Sequence, residues 1–288
     1  MASDPRLQER SLEELREISL KLSRQIIEIT TRAGSGHPSS SLSAIDILTV
    51  LYFGGVMRYD PDNPGWPDRD RFILSKGHAA PGLYVILAEA GFFDPSLLNT
   101  LREIGSPLEG HPNMRVLDGV EASTGSLGQG LSIGVGHALA ARLDRRDYRV
   151  YVMIGDGEAD QGQIWEASMA AAKYKSSNLT AILDYNKYQQ TGPVDEVMPA
   201  LKPIAEKWRA FGWHVREING HDVSEILEAL DEVRQVKDRP QMIIASTLKG
   251  KGLSPFEADD VNRKHGEPLT EEEKQIALAE LDEMLQRS

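Results

Sequence analysis

Two short apolar runs, Val150-Tyr151-Val152-Met153-Ile154 and Leu179-Thr180-Ala181-Ile182-Leu183, constrain the fold of this chain more than any other feature. Both read as buried strands, and 162–174 between them has the pattern of a helix, so the segment forms a strand–helix–strand unit. The first run ends in Gly155-Asp156-Gly157 and the second in Asp184-Tyr185-Asn186. A carboxylate with almost no bulk around it and a carboxamide therefore stand at neighbouring strand ends. Mg²⁺ carrying a diphosphate takes hard oxygen donors of this kind, and a backbone carbonyl near Tyr188 offers a third. The start of the helix after Gly157 offers free N–H groups to the same phosphates. Gly-Asp-Gly alone reads as well as a strand-ending turn. Its pairing with Asn186 is what points to a cofactor.

The rest of the chain fits around this unit. Ser11 and Glu14 form a capping box ahead of an amphipathic helix over 12–31. Glycines, a proline and serines interrupt it, and a second helix runs over 42–53. A turn-rich loop follows at 60–67, then a strand over 71–74 and a helix over 78–90. Small and apolar residues over 127–143 make a tightly packed helix, entered from Gly125-Ser126-Leu127-Gly128-Gln129-Gly130. Further on come helices over 204–211, 223–236 and 271–285, and strands over 215–218 and 242–247. This alternation predicts α/β architecture: one doubly wound domain over 1–288, with a mostly parallel sheet flanked by helices.

Composition removes several function classes. Hydrophobic content of 40% and charged content of 26% are those of an ordinary soluble protein. A net charge of −12 argues against a nucleic-acid surface. The absence of cysteine excludes disulfides, thiolate metal sites and a cysteine nucleophile. The N-terminus lacks an apolar signal core and no run approaches the roughly 18 apolar residues of a membrane span, so the expected location is the cytoplasm, away from the membrane.

His37, His78, His111 and His265 each sit beside a glycine on an open, glycine-bounded loop. Imidazoles on open loops at strand ends can reach a ligand. His137 within an apolar helix and His214 beside a strand read as structural, and His221 in Asn219-Gly220-His221-Asp222 reads as a turn residue.

Six pieces, in order, give the chain its resemblance to the thiamine-diphosphate-binding domain of transketolase: Ser35-Gly36-His37-Pro38, Leu74-Ser75-Lys76-Gly77-His78, Glu109-Gly110-His111-Pro112, 124–130, Gly155-Asp156-Gly157 with Asn186, and Lys249-Gly250-Lys251-Gly252. The resemblance implies that Asp156, Asn186 and the Tyr188 carbonyl hold Mg²⁺. It implies that Gly157, Glu158, His78 and His265 bind thiamine diphosphate, and that the backbones of Gly125, Ser126 and Leu127 approach its ring portion. His37 and His111 match histidines that touch the donor sugar, and all four histidines are expected to take part in catalysis. The implied reaction moves a two-carbon ketol unit from a ketose phosphate to an aldose phosphate. In the family, the glutamate that activates the cofactor and the arginines that grip sugar phosphate lie in other domains. The resemblance therefore implies a split enzyme, with the pyrimidine-binding domain on a separate C-terminal subunit, in a heterotetramer. The family usually reads Glu-Leu-Gln-Glu-Gly after Gly157; here Gln161 replaces a glutamate of the subunit contact, which removes a titratable group. The 184–190 segment also differs in bulk, which suits a specialised ketol transfer. Alternatives are a deoxyxylulose-phosphate-synthase-like or E1-like thiamine enzyme, or a non-catalytic cofactor-binding subunit.

Overall fold

Alternate side chains of a strand face opposite sides of a sheet, so a strand covered on both must be apolar throughout. In the computed structural model, which describes residues 9–257 and 264–287, the two apolar runs lie side by side at the centre of a five-stranded sheet. In chain order the helices are α1 (Leu12–Ala33), α2 (Pro38–Leu42), α3 (Ile45–Phe53), α4 (Ala80–Glu89), α5 (Gln129–Leu143), α6 (Gly162–Lys173), α7 (Val194–Val197), α8 (Ile204–Ala210), α9 (Val223–Gln235), α10 (Ser254–Glu257) and α11 (Glu271–Arg287). The strands are β1 (Arg71–Leu74), β2 (Val150–Gly155), β3 (Leu179–Tyr185), β4 (Tyr188–Gln189), β5 (Gly192–Pro193), β6 (His214–Asn219) and β7 (Gln241–Ser246). The large sheet has the order β1-β2-β3-β7-β6 with every pairing parallel, as expected. β4 and β5 form a small antiparallel hairpin just beyond β3.

Strand alternation builds two cores. Val150, Val152 and Ile154 join Ala181, Leu183, Ile244 and residues of α5, α6 and α8 on one face. Tyr151 and Met153 join Ile182, Ile243 and residues of α1, α3, α4 and α9 on the other. The register pairs Gly155 with Asp184 and Tyr185 with Ser246, so three strands end together and their carboxyl ends open onto one crevice.

One expectation is corrected. The segment before 42 is partly helical: Pro38 opens α2 at its first turn, where a missing N–H costs nothing. The helix expected over 162–174 forms as α6, and it does not follow Gly157 directly. A single 3-10 turn over Glu158–Asp160 intervenes, and α6 begins at Gly162. Expected and observed ends of the other elements differ by at most three residues. The capping box of Ser11 and Glu14 is formed, with the Glu14 amide donating to Ser11 Oγ at 3.2 Å and the Ser11 amide to Glu14 Oε2 at 2.8 Å.

Candidate active site

A cavity of about 420 Å³ opens at the carboxyl ends of β2 and β3. Its lining includes Asp156, Gly157 and Asn186 from the strand ends, and His37, His78, His111 and His265 from four separate loops. The rings of His37, His78 and His265 form a triangle with centroid separations of 5.2, 5.2 and 5.4 Å. His111 packs on the Gly125 turn, where a Cβ would lie 3.0 Å from its Cδ2. Residues as distant in sequence as 37 and 265 thus share one cavity.

Asp156 is buried, and burial, reinforced by the nearby Asp184 carboxylate, pushes its carboxyl up to about 7. It accepts the Gly157 amide at 2.8 Å and the Lys187 amide at 2.6 Å. The Gly157 N–H is therefore turned toward Asp156 and is not the first free amide of a helix. Asn186 Oδ1 accepts the Tyr188 amide at 3.1 Å, while its Nδ2 donates to Asp184 at 3.4 Å. Asp184 is fully buried and orders the floor of the site. It pairs with the buried Lys76, and accepts from Ser43 Oγ at 2.6 Å and from Thr247 Oγ1. Lys76 also donates to the Ser40 carbonyl at 2.9 Å. Breaking a buried pair of this kind by removing one partner costs about 3–5 kcal/mol, because a charge is stranded without water.

The imidazoles are all pushed toward the neutral form. Burial takes His37 down to about 4 and His265 to about 3, with the Arg102 and Lys249 charges respectively adding to the effect. His78 lies well below its usual range and His111 below it, burial being the leading cause for both. Neutral, each ring presents one N–H donor and one lone pair. Lys249 donates to His265 Nδ1 at 2.7 Å, which leaves the His265 proton on Nε2. Among the described residues, the buried Nδ1 of His37 has no hydrogen-bond partner.

The structure separates the remaining candidates. Gly125 and Leu127 line the cavity, as does Tyr188, whereas the Ser126 side chain is exposed and outside the lining. Glu158 borders the cavity, but its two oxygens are already engaged. They take the Gly128 amide at 2.8 Å, Ser75 Oγ and the Gly155 amide at 3.1 Å, so its carboxylate braces the turns from behind. Gln161 lies exposed at the rim. Sequence reasoning assigns no role to three participants: Lys76, Lys249 and Asp184. A signal is present for Lys249, a lysine between a strand and Gly250, yet this is equally the pattern of a solvated turn.

This donor set suits a metal–diphosphate pair. It combines a buried carboxylate, a fixed carboxamide, a lysine and several imidazole N–H groups. At Gly157 a Cβ would lie only 2.6 Å from Gln189 Cβ, so the Gln189 side chain packs directly on that backbone. Residues 18–281 match the family described as "Transketolase, thiamine diphosphate binding domain". The chain belongs to the transketolase family. It is 46% identical over 256 residues to the 6-deoxy-6-sulfo-D-fructose transketolase subunit of Clostridium sp. (strain MSTE9), covering 89% of this chain and 92% of that one. It is 42% identical over 269 residues to one of the apulose-4-phosphate transketolase subunits of Phocaeicola vulgatus, covering 93% and 94%. Among solved structures, Campylobacter jejuni transketolase superposes with a TM-score of 0.84 at 34% identity, covering 94% of this chain and 42% of the other. This transketolase-family chain thus spans less than half of that solved chain, but nearly all of the two proteins named as subunits.

Proposed function

We propose that this chain is the N-terminal subunit of a split, thiamine diphosphate- and Mg²⁺-dependent transketolase of the cytoplasm. It would move a two-carbon ketol unit from a ketose phosphate to an aldose phosphate, together with a separate C-terminal subunit that carries the pyrimidine-binding domain, two copies of each forming a heterotetramer. One observation carries the reading: four neutral histidines from separate loops meet Asp156 and Asn186 in one cavity. The two similar proteins named as transketolase subunits support the division into separate chains.

Asp156, Asn186 and the Tyr188 carbonyl would hold Mg²⁺. A divalent cation there relieves the burial that now pushes the Asp156 carboxyl up. His78, His265 and Lys249 would bind the diphosphate, and the backbones at Gly125, Ser126 and Leu127 would border the ring portion. Thiamine diphosphate supplies the carbanion nucleophile and the electron sink. His37 and His111, neutral at pH 7, would accept hydrogen bonds from the hydroxyls of the donor sugar and carry a proton to and from its oxygens. A bound polar substrate would also give the buried His37 Nδ1 the partner it lacks here.

The two halves of the site separate in a single experiment on the assembled complex. Asp156→Ala should abolish Mg²⁺-dependent binding of thiamine diphosphate, read by titration. His111→Ala should bind the cofactor within about threefold of wild type while losing roughly 10²–10⁴ in turnover. Unchanged cofactor affinity in the Asp156 variant would reduce Gly-Asp-Gly to a turn.

A further inference from the structure

Outside the cavity lining lies a second, smaller concentration of charge. Asp46 on α3 is almost wholly buried and accepts from His221 Nδ1 at 2.7 Å, Lys251 Nζ at 2.8 Å and Ser19 Oγ of α1. Lys251 also donates to Ser19 Oγ at 2.8 Å and Ser23 Oγ at 3.3 Å. The other ring nitrogen of His221, Nε2, accepts the Leu248 amide at 2.9 Å. One nitrogen faces a carboxylate and the other takes an amide proton, so the ring sits in its neutral Nδ1–H form. Its part thus extends beyond the Asn219-Gly220-His221-Asp222 turn.

Both partners of this cluster hold the same short segment. Leu248 and Lys251 flank Lys249 in the turn that follows β7. That turn is conformationally demanding: Gly250 and the non-glycine Lys251 have φ of 76° and 60°, and a Cβ at Gly250 would lie 2.4 Å from Phe256 Cβ. Left-handed backbone at a lysine persists only when its surroundings fix it. The fixing points are the Thr247 amide on the Tyr185 carbonyl at 3.1 Å, the Leu248 amide on His221, and Lys251 on Asp46. Between them Lys249 reaches His265 at 2.7 Å.

We propose that His221 and Asp46 are positioning residues that clamp the 247–252 turn from behind and so set Lys249 against His265 at the cavity. Neither touches the cavity lining. Their effect on cofactor binding rests on the function proposed above, but their effect on the turn does not. Removing the clamp should leave the fold intact and let the turn move, which weakens diphosphate binding more than it slows the reaction at saturating cofactor.

The decisive pair is His221→Leu, which removes both ring contacts, and His221→Gln, whose carboxamide can still donate to Asp46 and accept from Leu248. Amide hydrogen exchange is followed over 247–252 in the full chain without cofactor, and thiamine diphosphate affinity and kcat are measured in the assembled complex. His221→Leu should speed exchange in the turn and weaken cofactor affinity, each by about tenfold, with kcat at saturation within about twofold of wild type. His221→Gln should stay within about threefold of wild type in every measurement. Unchanged exchange in His221→Leu, or equal damage in both variants, overturns the proposal. Should His221→Leu fail to fold, Lys251→Met cuts the second tether while leaving His221 in place. Faster exchange of the turn then supports the clamp, and wild-type exchange overturns it. If exchange behaves as expected but wild-type complex binds no thiamine diphosphate, the clamp stands and the proposed function falls.

Discussion

Burial pushes the Lys249 ammonium down to about 8, although the Asp156 and Asp184 carboxylates pull the other way. In the free protein the charge is fully present below that pH and is lost as pH rises through it. A bound diphosphate favours the charged form and raises its pKa. Affinity for thiamine diphosphate should therefore fall as pH rises above ~8, by up to about tenfold per pH unit. Lys249→Met should bind more weakly and show no such fall, and titration of the assembled complex at pH ~7 and ~9 checks both. A level wild-type profile would show that this lysine does not reach the diphosphate. Lys249 also marks how far single residues could be read. The four imidazoles His37, His78, His111 and His265 were legible because glycine-bounded loops open a path to a ligand. Lys249 was not, because its burial depends on residues 156, 184 and 265, which no local pattern brings together. Glu158 failed in the opposite sense: its place in the motif suggested the cofactor, while its oxygens answer the amides of Gly128 and Gly155.

At the scale of elements, α5 shows what small residues are for. A Cβ on Gly130 would lie 2.4 Å from Ser75 Cβ, and one on Gly134 would lie 2.4 Å from Val152 Cγ2. The helix thus approaches β2 and the turn after β1 at backbone distance, and Ser75 Oγ takes the Gly130 amide at 3.1 Å. Gly136 on the same helix has open space around its Cβ position and is exposed. Alanine gains at most about 1 kcal/mol over glycine within a helix. At Gly130 that gain is set against overpacking that costs roughly 1–3 kcal/mol, and at Gly136 against nothing. Gly130→Ala should therefore lower, and Gly136→Ala raise, the midpoint of thermal unfolding of the isolated chain; the same sign at both would show that α5 does not pack as described. The tight packing of 127–143 was legible from composition. The β4–β5 hairpin was not, since two residues per strand carry no periodicity, and its pairing of Tyr188 with Pro193 depends on where β3 ends.

The whole molecule divides the chemistry unevenly. Parallel pairing followed from the alternation of apolar runs with helical spacing, and the observed strand order places the strand ends of the site on one edge. What such an edge supplies is one wall. Its lining, among the described residues, offers imidazoles, Lys76, two carboxylates and carboxamides, but no arginine to grip a sugar phosphate. His111, which is expected to meet the donor sugar, is exposed here. Water at that position competes for every hydrogen bond the ring could make to substrate, and a site open to solvent forfeits much of its electrostatic advantage. Closing the cavity requires a second surface, and the transketolases solved as single long chains have more than half their length beyond the part this chain matches. The purified chain should therefore show no ketol transfer with thiamine diphosphate and Mg²⁺ present, while addition of the pyrimidine-domain subunit restores it. With this chain held at a fixed concentration, increasing amounts of the second subunit, followed by a coupled assay of the aldose product, should give activity that saturates near one to one. Turnover by this chain alone would mean that it completes the site without a second kind of subunit, most simply by pairing with its own copy.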